Sequence, residues 1–296
     1  MQLSIIIPAY NEEQRLPHTL SLLESYFHGG LKRDGVRLRE IIVVDDGSAD
    51  GTAAVVGSRR GAIPLELIRF ERNHGKGAAA RAGMLAARGE CCLLYDADAA
   101  TPPGEIPKMA ERMREHAADV VIGSRVRGRQ QNIVSMRLHR RLIGSMYHLL
   151  SSALIPGIDD AACGAKMFTR EAAQDLFSRQ RIERFAFDIE ILSLAMRLGY
   201  TIHEMPVRWE AIAGSKVNLV RDSLNMSWCV VKLYVRHLLL RDLNDRPALT
   251  LQSGEVLQFT AKPNFAAKPD FTAKPNFTAK PDFTAKPDET QIRRSA

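Results

Sequence analysis

Short, wholly apolar segments alternate with helix-periodic segments along the first 125 residues of the chain. Runs rich in isoleucine, valine and leucine, with no polar face, predict strands buried on both sides. The predicted strands span residues 3–8, 41–44, 65–70, 92–95 and 120–122, and the clearest helices span 12–27 and 75–88. This alternation predicts an α/β fold with a mostly parallel, twisted sheet and helices on both faces.

Polar residues follow three of the predicted strands at the point where each strand ends. They are Tyr10, Asn11 and Glu12 after the first strand, Asp45 and Asp46 after the second, and Asp96 and Asp98 after the fourth. In open α/β sheets ligands bind beyond the carboxyl ends of the strands, so we expect a nucleotide-type site at this edge. No G-x-G-x-x-G follows the first strand, which argues against a dinucleotide cofactor. An ATPase P-loop is excluded because Gly77, after Lys76, stands where Ser or Thr is needed.

Asp96-Ala97-Asp98 is the strongest candidate for a metal site. Two carboxylates at the end of a buried strand need a compensating cation, and a hard divalent ion that bridges to a diphosphate supplies one. We therefore expect Asp96 and Asp98 to bind Mg²⁺ or Mn²⁺. The alternative is that one aspartate only caps the helix near Pro102 and Pro103.

Asp45, Asp46 and Tyr10 are candidates for nucleoside binding. Either carboxylate can accept a hydrogen bond from a base N–H, and the Tyr10 ring can pack on the face of the base. The alternative is turn chemistry, because Asp-Asp-Gly-Ser is a good turn sequence by itself.

Charge and cysteine content restrict the partners and the compartment. A net charge of +7 and a pI near 9.4 favour an anionic partner, which composition alone leaves as nucleic acid, anionic lipid or a phosphorylated substrate. The four cysteines form no C-x-x-C pair, which argues against a structural zinc site and favours a reducing compartment. No segment has the pattern of a signal peptide or a spanning helix, since charged residues interrupt the longest late apolar stretch, 228–240.

Two basic, amphipathic stretches predict contact with a membrane surface. The first combines six arginines between 125 and 141 with apolar residues at helical spacing over 142–150, and the second covers 220–236. Basic residues beside an apolar stripe suit a helix that lies among lipid headgroups. Alternatively, each helix packs on the sheet or on a second subunit. Nucleic acid is disfavoured because no recognition module is evident. We therefore expect a peripheral protein at the cytoplasmic face of a membrane.

The composition changes after about residue 240 and divides the chain into two parts. Residues 1–240 carry the motifs and are predicted to form one catalytic domain that ends in the second amphipathic helix. Residues 241–296 form a low-complexity tail, in which the unit Phe-Thr-Ala-Lys-Pro-Asn/Asp repeats over 259–288. Because proline recurs in every unit and apolar residues are sparse, we predict an extended, disordered tail.

Several motifs, taken in order, resemble those of the GT-A-fold, family-two inverting glycosyltransferases. They are the segments 4–13, 43–48, 75–77 and 96–98, which read SIIIPAYNEE, VVDDGS, GKG and DAD. Later segments are more similar to dolichyl-phosphate β-glucosyltransferases than to the related polyprenyl-phosphate mannosyltransferases. These segments are 15–17, 123–125, 159–169, 185–190, Trp209 and 214–216. The resemblance covers roughly residues 1–240 and is specific because many motifs recur in order.

The resemblance implies the transfer of a glucosyl residue from UDP-glucose to a dolichyl or polyprenyl phosphate, with inversion to a β-linked product. The alternative is a GDP-mannose-dependent polyprenyl-phosphate mannosyltransferase. A non-catalytic, sugar-nucleotide-binding interaction protein is a further alternative, against which the intact acidic pair argues. A phosphate acceptor is largely ionised at pH 7, its second pKa being about 6, so it needs little help from a general base.

The resemblance also implies a role for each matching residue. The expected catalytic residues are Asp96, Asp98, Asp188, Arg125 and Lys216, and the expected substrate-binding residues are Pro8, Tyr10, Glu12, Asp45, Asp46, Lys76, Arg140, Arg141, Asp160 and Ser215. Pro8, Tyr10, Glu12 and Asp45 would line the nucleoside pocket, with Lys76 near it. Asp96 and Asp98 would hold the nucleotide and its metal ion. The lipid phosphate would be bound by Arg125, Arg140 or Arg141, and Lys216. Asp188, and with it Asp160, would face the sugar.

Two features depart from the pattern of that family. Ala165 replaces an aromatic residue that is usual between Gly164 and Lys166, which loosens the expected acceptor pocket. Eukaryotic members carry an N-terminal membrane anchor that is not evident before residue 3, so we expect attachment through other segments.

Overall fold

The structure is a computed structural model that describes residues 1–27, 32–33, 35–59, 63–130, 152 and 154–210. Within these residues one sheet contains the strands β1 (Gln2–Ala9), β2 (Lys32–Arg33), β3 (Val36–Asp45), β4 (Leu65–Arg69), β5 (Cys91–Leu94), β6 (Val120–Ser124), β7 (Lys166–Thr169) and β8 (Ile202–Pro206). The described α-helices are α1 (Leu16–Phe27), α2 (Thr52–Ser58), α3 (Lys76–Ala86), α4 (Ile106–Glu115), α5 (Arg125–Gln130), α6 (Arg170–Arg179) and α7 (Phe187–Arg197). A short 3₁₀ helix covers Pro103–Glu105.

The sheet is mixed but mostly parallel. Its strand order is β2-β3-β1-β5-β7-β6-β8, and β4 also pairs with β3. β1 pairs in parallel with β3 and β5, β3 with β4, and β6 with β8. β7 runs antiparallel to both of its neighbours, and the short β2 runs antiparallel to β3. The predicted fold class is therefore confirmed, although β7 and β8 lie outside the strands predicted from the sequence.

Both faces of the sheet are covered, which explains why the strand segments are apolar throughout. Leu3, Ile5 and Ile7 of β1 pack on one face against residues of α1 and α4. Ile6, between them, packs on the other face against α3 and the phenylalanines of β7 and α6. Since side chains alternate along a strand, every position of β1 needs an apolar residue when helices cover both faces.

Helix α1 begins at Leu16 rather than at residue 12, where the sequence pattern placed it. Asn11 has a φ of +54°, so the chain turns sharply after β1 before a helix can begin. The Glu12 carbonyl accepts the N–H groups of Arg15 and Leu16 at 3.1 and 2.9 Å, which starts the helical hydrogen-bond pattern. The Glu12 side chain is thereby kept outside the helix, beside the sheet edge that carries the acidic pair.

Because β7 is antiparallel to β5 and β6, its first residue lies at the edge of the sheet where those two strands end. Lys166, the first residue of β7, pairs with Leu94 of β5 on one side and with Ile122 of β6 on the other. The carboxyl ends of β1, β3, β5, β6 and β8 share this edge because those strands are mutually parallel. The start of β7 is therefore inserted between the acidic pair after β5 and Arg125 after β6.

Candidate active site

The Asp96-Ala97-Asp98 segment follows β5 in a loop that is fixed by hydrogen bonds. Thr19 Oγ1, from α1, donates to the Ala97 carbonyl at 2.6 Å. The Ala100 N–H donates to Asp98 Oδ1 at 3.1 Å, and the Tyr95 hydroxyl donates to the Thr101 carbonyl. The 3₁₀ helix that follows has no side-chain cap at its start. The alternative prediction, that an aspartate of the pair caps this helix, is therefore wrong.

Lys76 neutralises the first carboxylate of the acidic pair. Its Nζ lies 2.7 Å from Asp96 Oδ1, and the two side chains are 28% and 33% exposed. Burial alone would raise the pKa of Asp96, but the Lys76 ammonium, with Lys166 and Arg125 farther away, lowers this pKa below its ordinary value. Burial likewise opposes the charge of Lys76, while Asp96 and Asp188 raise its pKa well above the ordinary value. Both groups are therefore charged at neutral pH.

Asp98, the second carboxylate, has no such close partner among the described residues. Burial and the negative charge of Asp96 raise its pKa above the ordinary value for an aspartate. Arg15 Nη1 lies 3.8 Å from Asp98 Oδ2, and the same guanidinium forms a two-pronged ion pair with Glu12. A further cation beside Asp98 would thus relieve an electrostatic conflict that Lys76 and Arg15 leave in place.

Gly164 packs directly on the Asp96 carboxylate. A Cβ atom built at this position would lie 1.8 Å from Asp96 Oδ2. Since non-bonded carbon and oxygen atoms are separated by about 3 Å or more, only glycine fits here without displacing Asp96. The segment before β7 therefore fixes one side of the acidic pair.

Lys166 and Asp188 form a buried ion pair behind the acidic pair. Lys166 Nζ lies 2.5 Å from Asp188 Oδ1 and also donates to the Cys163 carbonyl, and its side chain is 1% exposed. Asp188 lies in the first turn of α7, which places a carboxylate near the positive end of the helix. Lys166 belongs to the 159–169 motif but was not among the site residues predicted from the sequence. The sequence offered little signal for it, because Lys166 begins a strand of only four residues that the apolar pattern did not reveal.

Arg125 is held by Asp160 at the end of β6. Asp160 Oδ2 accepts the backbone N–H and Nε–H of Arg125 at 2.8 Å each, and Oδ1 accepts from Nη2 at 2.7 Å. The guanidinium also lies over the Trp209 ring, 5.7 Å from its centroid. Burial opposes ionisation of Asp160, but Arg125 lowers its pKa below the ordinary range. Asp160 therefore orients Arg125, whereas its expected contact with the sugar stays a prediction.

Glu204, on β8, anchors the chain segment that carries Asp160. Its two carboxylate oxygens accept the N–H groups of Asp159 and Asp160 at 2.9 Å each. Arg127 reaches the same carboxylate at 3.1 Å and bonds Asp159 at 2.9 Å. A chain of polar contacts thus runs from β8 through this segment to Arg125.

The aspartates after β3 have different surroundings. Asp45 is fully buried; its Oδ1 accepts the Ser48 N–H at 3.0 Å, and its Oδ2 has no hydrogen-bond partner among the described residues, although Arg69 Nε is 3.3 Å away. Asp46 accepts the N–H groups of His74 and Gly75 at 2.7 and 2.8 Å. The Asp46 carboxylate therefore organises the backbone before α3, and its expected substrate contact stays a prediction.

The remaining expected donor-binding residues flank β1. Pro8 is buried within β1, opposite Val44 of β3, while the Tyr10 ring is 43% exposed just beyond the strand end. Tyr10 is therefore accessible at the sheet edge, whereas Pro8 is part of the buried sheet. The donor-binding roles of both residues stay predictions.

Several predicted features lie outside the described residues. They are Arg140, Arg141, Ser215 and Lys216, residues 131–150 of the first stretch predicted to contact a membrane, the whole second stretch, and the repeat tail with the proposed boundary near residue 240. Each of these stays a prediction. The start of the first stretch is described, and there Arg125 and Arg127 form ion pairs with Asp160, Asp159 and Glu204. In the part of the chain that the structure describes, each helix is too short or too polar to cross a bilayer.

Comparisons with known proteins identify the family. The family model described as glycosyl transferase family 2 matches residues 4–177. A dolichyl-phosphate β-glucosyltransferase of Dictyostelium discoideum is 37% identical over 80% of this chain and 75% of its own length. The human enzyme of the same name is 36% identical over 80% of this chain and 76% of its own length.

Solved structures support the fold. Mycobacterium tuberculosis glucosyl-3-phosphoglycerate synthase, in a complex with Mn²⁺, UDP and glucosyl-3-phosphoglycerate, has a TM-score of 0.58 at 19% identity, with 81% of each chain covered. Mannosyl-3-phosphoglycerate synthase of Rubrobacter xylanophilus has a TM-score of 0.56 at 17% identity, with 88% of this chain and 87% of that chain covered. These likenesses confirm the GT-A-like fold, and the sequence relatives confirm the resemblance found from the motifs. The chain therefore belongs to glycosyl transferase family 2 and is a homologue of the dolichyl-phosphate β-glucosyltransferases.

Proposed function

We propose that the protein transfers a glucosyl residue from UDP-glucose to a dolichyl or polyprenyl phosphate, with inversion to a β-linked sugar lipid. The observation that carries this proposal is 36–37% identity over 80% of the chain to relatives with that activity in their name. The site agrees with it, because an acidic pair for a sugar nucleotide lies beside a basic group, Arg125, for an acceptor phosphate. The relatives favour glucose over mannose as the sugar.

The end of β3 is the proposed place for the uracil base. Asp45 Oδ2 is a buried carboxylate oxygen without a hydrogen-bond partner among the described residues. The Arg69 guanidinium, 3.3 Å away, offsets part of the desolvation cost of this oxygen, which is about 1–3 kcal/mol for an acceptor without a hydrogen bond, and a donor from the ligand would offset more. A base N–H is such a donor, and Tyr10 follows Ala9, which pairs with Asp45 across β1 and β3, so that its ring offers an apolar face nearby.

The acidic pair fits Mg²⁺ or Mn²⁺ shared with the donor diphosphate. Among the described residues no group of three or more His, Cys, Asp and Glu side chains is placed to hold an ion. Mg²⁺ is commonly bound by one or two carboxylates, with substrate phosphates and water completing its coordination. Asp96 and Asp98 would hold the ion, and its positive charge would favour the ionised form of Asp98, whose pKa is raised by burial and by Asp96. When bound, the ion neutralises charge on the departing diphosphate.

The acceptor chemistry needs alignment more than proton transfer. A phosphate monoester carries a nucleophilic oxyanion at pH 7, since its second pKa is about 6. Arg125 is oriented by Asp160, with two of its side-chain N–H groups occupied by that carboxylate. We assign Arg125 to the attraction of the acceptor phosphate, together with Arg140 or Arg141 and Lys216 from the sequence.

Asp188 is assigned to positioning the sugar. Its carboxylate is 2.5 Å from the buried Lys166 ammonium, which fixes it at the base of the site. The acceptor oxygen then attacks C1 from the face opposite the diphosphate, so that the α-linked donor gives a β-linked product. The C1–oxygen bond to the acceptor forms as the C1–oxygen bond to the diphosphate breaks.

A direct assay tests the proposed function. Purified protein is incubated with radiolabelled UDP-glucose or GDP-mannose, polyprenyl phosphate and either Mg²⁺ or Mn²⁺, and the lipid product is identified by mass spectrometry. We expect a hexosyl lipid phosphate from UDP-glucose, with loss of product when the ions are chelated. Product from GDP-mannose alone would instead identify a mannosyltransferase. Binding of UDP without transfer under any of these conditions would support the non-catalytic alternative.

A further inference from the structure

An ammonium group occupies one oxygen of the acidic pair. Lys76 Nζ lies 2.7 Å from Asp96 Oδ1, within ion-pair and hydrogen-bond distance. A divalent cation bound by the same oxygen would stand about 2.0–2.1 Å from it for Mg²⁺, in the region that the ammonium fills. The ammonium and the metal ion would therefore compete for Asp96, because they need the same space and because their positive charges repel each other.

The two carboxylates of the pair are not neutralised equally. Asp96 has the close Lys76 partner, whereas Asp98 is approached, among the described residues, by Arg15 Nη1 at 3.8 Å. That guanidinium is already bound by Glu12 through two of its nitrogens. Asp98 can thus accept an added cation directly, whereas a metal ion can bind Asp96 only if it replaces the Lys76 ammonium.

The backbone of Lys76 is fixed, but its side chain reaches the site from the surface of α3. Asp46 binds the Gly75 N–H at 2.8 Å, and the Ala78 N–H donates to the Glu183 carbonyl at 2.9 Å. Gly75 has a φ of +117°, and a Cβ there would meet the Glu183 carbonyl oxygen at 2.6 Å. Because the Lys76 side chain has a flexible four-carbon stem and is 28% exposed, its ammonium can rotate away from Asp96 about a fixed Cα.

We propose that Lys76 is an internal counter-cation that makes metal binding by the acidic pair depend on the donor diphosphate. The inference rests on the proposed function, which supplies a sugar nucleotide and a divalent ion. The diphosphate attracts the Lys76 ammonium and thereby leaves Asp96 to the incoming ion. Since such coupling is reciprocal, the ion and the nucleotide each strengthen the binding of the other by the same factor. The ion without the nucleotide binds weakly because it must displace the ammonium.

The test measures Mn²⁺ binding by the purified full chain, by electron paramagnetic resonance of free Mn²⁺ and by calorimetry, with and without UDP. For the unaltered protein we expect UDP to strengthen Mn²⁺ binding by a factor within the usual range of coupling, about 5- to 150-fold. Lys76→Met removes the competing ammonium. In this variant Mn²⁺ alone should bind about fivefold or more tightly than to the unaltered protein, and the factor contributed by UDP should shrink.

Two further variants separate this effect from a general loss of positive charge or of folding. Lys108→Met removes an ammonium that pairs with Glu105 Oε1 at 2.8 Å on α4, away from the acidic pair, and should leave Mn²⁺ binding unchanged. Lys76→Arg keeps a cation beside Asp96 and should keep Mn²⁺ binding weak without UDP. Circular dichroism of each variant reports whether the fold is retained, and Lys76→Gln replaces Lys76→Met if the latter does not fold.

The outcomes distinguish the two proposals. Unchanged or weaker binding of Mn²⁺ alone after loss of the Lys76 ammonium overturns the counter-cation role, while UDP-dependent transfer by the unaltered protein still supports the proposed function. If the unaltered protein binds neither Mn²⁺ nor UDP, the proposed function fails and this inference fails with it.

Discussion

Gly164 lies against the carboxylate of Asp96, at a distance that leaves no room for a side chain. Because a Cβ would stand 1.8 Å from Asp96 Oδ2, Gly164→Ala must push the acidic pair away from its position. A displacement of about 1 Å at a reacting centre can cost about 10²-fold in rate, so we expect a loss of this order in kcat/KM. Gly104→Ala is the matched control, since a Cβ there meets nothing within 4 Å. Equal activity of the two variants would contradict the close packing.

Asp98→Asn should abolish transfer and leave the fold intact. Among the described residues, the side chain accepts one hydrogen bond, from the Ala100 N–H, and makes a longer contact with Arg15, so little stability depends on its charge. Loss of a metal-binding carboxylate removes several kcal/mol of charge stabilisation, which corresponds to about 10²-fold or more in rate. Transfer is measured with labelled sugar nucleotide and folding by thermal unfolding. Full activity in this variant would remove the metal-binding role.

Lys166→Met should lower the free energy of unfolding strongly, because the Lys166–Asp188 ion pair is buried. The substitution leaves the Asp188 carboxylate and the Cys163 carbonyl without their buried partner. Removal of one member of a buried pair costs about 3–5 kcal/mol, and replacement of both members by apolar residues costs much less. Urea unfolding should therefore show a large loss for Lys166→Met and a partial recovery for Lys166→Met combined with Asp188→Leu. The double variant should stay inactive if Asp188 positions the sugar. If the losses of stability in the two single variants simply add in the double variant, the two side chains are not coupled.

Stability should fall below neutral pH because of His203. Its ring stacks on that of His116, with centroids 4.0 Å apart. The pKa of His203 lies below its ordinary value of 6.5, mainly because the ring is partly buried. Repulsion by the positive charges of His116, Arg112 and Arg127 lowers this pKa further. The unfolded state then binds more protons than the folded state, so stability is lost as the pH falls through about 6.5. Denaturation at a series of pH values should show a shallower fall for His203→Asn than for the unaltered chain. Parallel curves would exclude His203 as the cause.

Membrane binding is predicted from the sequence and can be measured by flotation with liposomes. We expect binding to vesicles that contain anionic lipid and weaker binding to neutral vesicles, because basic residues near a membrane contribute about 1 kcal/mol each. Changing Arg137, Arg140 and Arg141 to Gln should weaken the binding. The same number of charges removed from the tail, at Lys262, Lys268 and Lys274, is the matched control. Binding to neither kind of vesicle would contradict the predicted membrane contact.

The sequence predicted the parts of the fold that depend on local pattern. The apolar run that became β1 is buried on both faces, and the residues after β5 lie at the carboxyl edge of the parallel strands, as expected. The same patterns did not locate β7, which has four residues and includes Lys166. A charged residue in so short a segment obscures the strand pattern, and its antiparallel direction depends on pairing with strands far away in the sequence.

The site was predicted as a set of residues but not as a set of contacts. Asp96, Asp98, Lys76 and Arg125 do lie along one edge of the sheet. The partners that orient them come from distant segments: Gly164 against Asp96, Asp160 on Arg125, and Glu204 behind Asp160. Since each contact depends on tertiary packing, periodicity and local motifs carry no information about it. Asp46 shows the same limit, because its carboxylate binds backbone N–H groups nearly thirty positions later in the chain.

The end of β6 and the start of β7 lie at the same edge of the sheet, because the two strands are antiparallel neighbours. β6 ends at Ser124, β7 begins at Lys166, and the Arg125–Asp160 ion pair joins the two ends of the segment between them. Because this ion pair connects the two ends, a change in the length or composition of the sequence between them need not alter the register of β6 and β7. If Arg140 or Arg141 in this segment binds the acceptor phosphate, as the sequence predicts, we expect relatives with other acceptors to differ here while the sheet edge that carries Asp96 and Asp98 keeps its form.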